Sequence, residues 1–322
     1  MRRRVRAARV GQYLLVIWAA MTLNFALPHL AAGDPVFYRY AGDTSNLSPE
    51  RLATLRRSYG LDRSTLEQYA GFWADAVQGD LGQSVVHNRP VVALLAEAVP
   101  WTLLLVGTGT VAAVGLGILA GAAAAWWRGS RRDAGLVVGV LAVDAMPGFW
   151  IGMLLISIFA VRLGWLPSFG AAPDGAEGLA WGAGLARHLV LPAATIALAG
   201  FGSMFLLTRA AMVATLDEPF VRLARAKGLS DRRIALRHAL RNALLPVFTR
   251  AALSVGAILS GALVVETVFA YPGVGRLIYD AVIARDYPVL QGAFLLTTVG
   301  MVTANLLADL AYPRLDPRVR RH

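Results

Sequence analysis

Residues 218–246 read EPFVRLARAKGLSDRRIALRHALRNALLP, a basic helix, a glycine break and a second basic helix, set between two hydrophobic runs and too charged to enter a bilayer. Asp217 or Glu218 is placed to cap a helix that opens with Pro219, whose missing N–H is harmless in a first turn, and Gly228 is suited to close it in the left-handed conformation. Ser230 offers a second cap, with Asp231 against the positive end of the next helix. In that second helix Arg233, Arg237 and Arg241 recur every four residues and share a face, where like charges repel by a few tenths of a kcal/mol per pair. Leu236, Leu240 and Leu244 form a separate apolar row, so one side is offered for burial and another for charge. Charge alone fits two uses: docking on an anionic protein partner, or a loop resting on lipid head groups.

The rest of the chain explains why such an insert stands out. It has 322 residues, 57% hydrophobic and only 16% charged, which is too apolar for a soluble domain of this size and places it in a membrane. The absence of cysteine excludes disulfides, thiolate metal sites and cysteine nucleophiles. A net charge of +11 would suggest nucleic acid in a soluble protein; here no nucleic-acid partner is expected, and the charge is read loop by loop. Lys227 is the only lysine among many arginines.

A span needs about 20 apolar residues, and runs of that length fall near 10–33, 99–127, 134–161, 188–208, 243–269 and 288–308. The expectation is an all-α polytopic protein with six transmembrane helices. Arg2, Arg3, Arg4, Arg6 and Arg9 precede the first run as in a signal peptide, but its uncharged length exceeds the usual 7–15-residue core, so an uncleaved anchor is expected. Basic residues crowd the amino terminus, the turn at 126–133, the insert and the tail after Tyr312, while the two opposite short loops hold few. Both termini and the insert are therefore expected to face the cytoplasm.

The intervening segment 34–98 would lie outside as a small helical element. Ser48-Pro49-Glu50 starts one helix that Gly60 is placed to end, and Ser64 with Glu67 makes a capping box before Leu66, Tyr69, Trp73 and Val77. Aromatics at that spacing point to packing on the membrane-facing protein. The domain boundaries expected are 1–33 for the amino terminus and first span, 34–98 for the external segment, and 99–322 for a five-helix core carrying the insert at 214–242.

Candidate chemistry is sparse. There is no G-x-x-x-x-G-K-[ST] phosphate loop, so the chain should not bind ATP itself, and no G-x-S-x-G nucleophile. His29, His87, His188, His238 and His322 lie far apart with no H-E-x-x-H pair, which leaves neither metal nor catalytic residues to nominate. Gly117 with Gly121 and Gly148 with Gly152 give the small-xxx-small spacing of close helix contacts. Asp144 lies in the third run just before Pro147, which must break a backbone hydrogen bond, and Glu266 falls near the far end of the fifth. These three are candidates for a pathway or gate, Glu266 alternatively capping a helix or pairing with Arg276.

A family resemblance is carried by motifs in order along nearly the whole chain: Gly33-Asp34-Pro35; Tyr69; Gly79-Asp80-Leu81-Gly82; PGFWIGMLLISIFAVRLGWLPSFG at 147–170; Ala224-Arg225-Ala226-Lys227-Gly228; residues 238–246; ETVFAYPGVGR at 266–276; Arg285-Asp286-Tyr287-Pro288; and Asp316-Pro317-Arg318. The chain resembles the inner-membrane permease subunits of bacterial ABC importers for dipeptides, oligopeptides and nickel. The resemblance implies a type I ABC importer permease fold and several partners. These are a second, similar permease, two cytoplasmic ATPase subunits that use Mg-ATP, and an extracytoplasmic solute-binding protein. It also implies an ATPase-coupling region made of Arg222, Ala224, Arg225, Ala226, Lys227, Gly228, Leu229, Ser230, Arg233, Arg237, His238, Arg241 and Asn242. Two positions depart from the broader permease pattern: Arg222 stands where glutamate is usual, which suits this subfamily, and Pro219 where tyrosine is commoner. A secondary transporter would need internal repeats and a mid-membrane ion site, a channel its filter, and an intramembrane enzyme a nucleophile or metal pair; none is evident in the sequence.

Overall fold

The computed structural model describes residues 2–30, 63–173, 177–255 and 263–315, with Glu50, Thr54 and Gly175 besides. The helix expected to begin at Ser48, the motifs at 33–35 and 316–318, and the middle of the fifth hydrophobic run lie outside the described residues. Among those described, all regular structure is helical, apart from one isolated bridge between Gln83 and Pro90. The elements are α1 (Arg2–Leu30), α2 (Thr65–Gln78), α3 (Val91–Trp126), α4 (Arg131–Asp144), α5 (Gly148–Leu155) running into a π-helical stretch π1 (Ile156–Arg162), and α6 (Gly178–Leu216). There follow α7 (Pro219–Ala226), α8 (Asp231–Arg233), a second π stretch π2 (Ile234–Leu240), α9 (Arg241–Val255), α10 (Leu263–Val268), α11 (Val274–Ala284) and α12 (Tyr287–Leu315).

Among the described residues three helices are long and apolar enough to cross a membrane: Val91–Trp126, Gly178–Leu216 and Tyr287–Leu306. A fourth crossing is available if Arg131–Asp144 and Gly148–Arg162 count together, although they are bent by 97°. The third hydrophobic run is thus not the single straight helix its composition suggested. Pro147 supplies the reason: its ring removes an N–H and disfavours helical geometry at Met146, so α4 ends and Pro147 becomes the first flanking residue of α5.

The chain forms two compact units, residues 1–100 with 273–302, and residues 101–272 with 303–322. In the first, Ser64 and Glu67 form the expected capping box, the Ser64 amide donating to Glu67 Oε2 at 2.9 Å and the Glu67 amide to Ser64 Oγ at 3.4 Å. The aromatic members of the expected row on α2 do pack, Trp73 against Tyr69 at a ring separation of 6.4 Å, but its aliphatic members do not. Tyr69 and Phe72 meet Phe25 of α1 at ring separations of 5.2 and 5.7 Å, whereas Leu66 and Val77 are exposed. Asn24 of α1 and Gln291 of α12 exchange side-chain amide to carbonyl bonds at 2.7 and 3.3 Å.

In the second unit α3 and α6 pack along a glycine seam. A Cβ at Gly121 would stand 2.7 Å from the Phe205 carbonyl oxygen, and one at Gly109 2.7 Å from Ile196 Cβ. Gly117, one turn from Gly121, meets Met204 in the same way, so the small-residue spacing does mark a close helix contact. Gly152 of α5 likewise faces Phe269, 3.1 Å from where its Cβ would be.

Candidate functional site

The basic insert folds as two short helical pieces around an elbow. Pro219 opens α7 from Glu218, whose extended backbone occupies the flanking position but whose side chain makes no capping bond. Gly228 follows α7 with φ +74°, the left-handed conformation in which an L side chain is disfavoured by about 1–2 kcal/mol, and nothing beyond its chain neighbours stands within 4 Å of where its Cβ would be. Ser230 takes the N-cap place of α8 with extended geometry, again without a side-chain bond. The caps expected from the sequence thus hold as backbone positions and not as side-chain contacts.

Burial separates the insert into two sides. Val221 and Ala224 of α7, Ile234 and Ala239 of π2 and Ala243 of α9 are buried with Ala125, Met212 and Leu216 in one apolar cluster, and Leu229 packs against it. On the other side Arg222, Arg225, Ala226, Lys227, Gly228, Ser230, Arg233, Arg237, Arg241 and Asn242 are exposed, and His238 is half-buried. Ala224 therefore supports the elbow from beneath while the arginines face outward. The leucine row read from the sequence holds in part: Leu240 packs against this cluster and Leu244 is half-buried, whereas Leu236 is 53% exposed and the fully buried places go to Ile234, Ala239 and Ala243. The π stretch accounts for the shift, because i→i+5 bonding widens the turn and moves each side chain off its α-helical bearing. Phe220 and Leu223 lie exposed among the arginines of α7. Their i, i+3 spacing opposite Val221 and Ala224 was the signal available for them in the sequence.

Two ion pairs flank the elbow, and neither was read from the sequence, since each joins residues more than 70 positions apart. Arg209 Nε and Nη2 donate to Asp133 Oδ1 and Oδ2, both at 2.7 Å, and the Asp133 side chain is 6% exposed. Arg128 Nη1 and Nη2 donate to Asp217 Oδ2 and Oδ1, also at 2.7 Å. The Arg209 guanidinium holds the Asp133 carboxyl below its ordinary range, with a smaller lowering from the Gly129 amide, against the opposing effect of burial. Arg128 does the same for Asp217, helped by Arg222 and Arg225.

The three gate candidates do not form one cluster. Asp144 and Pro147 are exposed at the α4–α5 break. The Asp144 carboxylate lies against Gly202 of α6, where any Cβ would overlap it. Glu266 is fully buried and accepts from Thr102 Oγ1 at 2.7 Å, joining α10 to α3 two residues beyond Pro100. Beside it the backbone N–H of Tyr271 donates to the Glu266 carbonyl at 2.8 Å.

Two family-like motifs far apart in sequence meet in the first unit. Asp286, buried after the left-handed Arg285 at φ +55°, accepts from Ser84 Oγ at 2.6 Å and from the Val86 amide at 3.2 Å. The loop that follows Gly79-Asp80-Leu81-Gly82 is thereby fastened to the α11–α12 junction.

Residues 113–321 match the family model described as binding-protein-dependent transport system inner membrane component. The chain is 36% identical over 312 residues to a putative peptide transport system permease protein of Brucella abortus, covering 97% of each. It is 38% identical over 304 residues to a glutathione transport system permease protein of Escherichia coli K12, covering 94% of each. Its fold is similar to a chain of the MetNI methionine ABC transporter in an inward-facing conformation, with a TM-score of 0.57 at 14% identity, covering 69% of this chain and 96% of that one.

Proposed function

This chain belongs to the family of binding-protein-dependent transport system inner-membrane components, and from that premise we propose that it forms half of the pathway of an ATP-driven importer for peptides or related small solutes. The solute class is taken from relatives named as peptide and glutathione permeases. A second, similar permease supplies the other half, and an extracytoplasmic solute-binding protein delivers the cargo. The chain binds no cofactor; two cytoplasmic ATPase subunits use Mg-ATP, and the bilayer is its remaining partner. Its six spans and cytoplasmic termini, with residues 34–98 outside, follow from apolar run lengths and charge placement, and the type I arrangement from the family resemblance.

The observation that carries the reading is the elbow at Gly228, exposed and basic above and apolar below. In this mechanism ATP binding draws the two ATPase subunits together and each carries the docked α7. The attached helices then tilt, and the cavity changes the side to which it opens. Phe220 and Leu223 enter the ATPase groove while Arg222, Arg225, Lys227, Arg233, Arg237 and Arg241 fix its orientation by charge. Glu266, a carboxylate buried beside Thr102, serves as a latch of the outer gate, and Asp144 with Pro147 forms the flexible break lining the pathway.

Gly228→Val tests this directly. A β-branched residue is strained at φ +74°. The variant should insert and bind its partners, yet import solute at about a tenth of the normal rate or less per ATP hydrolysed in reconstituted vesicles. Import at the normal rate would remove the elbow from the mechanism.

A further inference from the structure

The turn between α3 and α4 together with the first residues of α4, residues 127–133, has ionic contacts at two places on the helix that leads to the elbow. Asp133 takes two parallel bonds from Arg209, and Arg128 gives two to Asp217, the residue joining α6 to α7. Eight positions separate Arg209 from Asp217, about 12 Å along a helix at 1.5 Å per residue. A single contact leaves a hinge, whereas two at that separation restrain rotation as well as distance. Each pair is a planar fork, the geometry that adds direction to charge. The turn itself is held in shape: Gly129 sits at φ +77°, its amide donates to Asp133 Oδ2 at 3.1 Å, and the Asp133 amide donates to Ser130 Oγ at 3.3 Å. Beneath it Ala125 lies in the same apolar cluster as Leu216 and Val221. Asp217 is also tied to the elbow, since Arg222 Nη2 donates to its carbonyl at 3.3 Å.

We propose that Arg128, Asp133, Arg209 and Asp217 are positioning residues for energy coupling: displacement of α7 is delivered through two ionic forks to α3 and α4, and not only along the chain into α6. α3 also carries Thr102, two residues beyond Pro100, so the same helix reaches the buried Glu266. The proposal rests on the coupling role given above to the elbow.

The test uses the complete transporter, with both permeases, both ATPase subunits and the binding protein, in vesicles. The readout is ATP hydrolysed per solute imported, which a merely structural contact would not shift in correctly assembled complexes. Arg128→Asp and Asp217→Arg should each raise that ratio about threefold, the scale of one bidentate pair at a surface, and the double exchange should return it to near the starting value. Arg128→Lys keeps the charge and loses the fork, so it should raise the ratio by a smaller factor. Should the single reversals fail to assemble, Arg128→Lys decides alone: an elevated ratio supports the proposal and an unchanged one overturns it. Unchanged ratios in assembled single variants, or a double exchange no better than either single, also overturn it. Gly228→Val separates the two readings. If it uncouples while the fork variants do not, the forks fail and the elbow stands; if it transports normally, the coupling role of the elbow itself has failed.

Discussion

Asp133 is a surface-type residue placed almost out of water, and its neighbours explain why it stays charged there. An isolated buried carboxylate would be costly, but two guanidinium bonds and a backbone amide hold it ionised. Its folded pKa is lowered, so its contribution to stability is complete above the ordinary aspartate value, near pH 3.9, and is lost as pH falls through the lower folded value. Asp133→Asn should destabilise the purified protein by about 1–3 kcal/mol at pH 7, because Arg209 is left without its counter-charge. The difference in thermal midpoint between the two proteins should shrink as the pH is lowered below about 4; a gap unchanged down to pH 3 would show that charge is not its origin. Glu266 is likewise buried and hydrogen-bonded, and its Thr102 partner lies 164 positions away in sequence. Neither partner was legible beforehand, since nothing local selects one arginine or threonine among many.

At the scale of elements, glycine decides how closely two long helices approach. Gly109, Gly117 and Gly121 let α3 lie directly on α6, and a methyl group at 121 would press on the Phe205 carbonyl and Thr208. Gly121→Ala should destabilise by about 1–3 kcal/mol through overpacking, while Gly115→Ala, where nothing stands within 4 Å, should be nearly neutral. Thermal unfolding of both variants in detergent checks the contrast. Elements also show where local reading fails. The run at 134–161 satisfies every test for one span and is nevertheless bent by 97° at Pro147, and in the second basic helix, where residues 234–240 adopt π geometry, Leu236 leaves the buried side that Leu240 keeps. A proline in an apolar run announces a break but not its angle. No residue in 234–240 announces a wider turn, and with it Ile234 and Ala239 are buried while Leu236 is exposed.

For the molecule as a whole, the testable statement is the side of the membrane on which the elbow lies. The chain has no cysteine, so Arg233→Cys provides a single thiol at an exposed position of the insert. A membrane-impermeant maleimide should label it in inside-out vesicles and leave it unlabelled in intact spheroplasts. Labelling from outside would invert the topology and remove the ATPase from reach of α7. Isolation of the assembled importer should also bring ATPase subunits with the chain, which neither a channel nor a secondary transporter requires.

Composition and hydrophobic run length were enough to place this chain in a membrane, because twenty apolar residues have few other uses and eleven surplus positive charges must lie outside the hydrocarbon. Local chemistry also located the elbow, since proline at a first turn and glycine at a left-handed close act within a few residues of themselves. What waited for the tertiary structure was everything that depends on who lies opposite: Arg209 against Asp133, Arg128 against Asp217, Thr102 against Glu266, and Ser84 against Asp286. Burial makes those choices. A charge or hydroxyl taken out of water must find a partner wherever the fold brings one, and separation along the chain carries no information about which it will be.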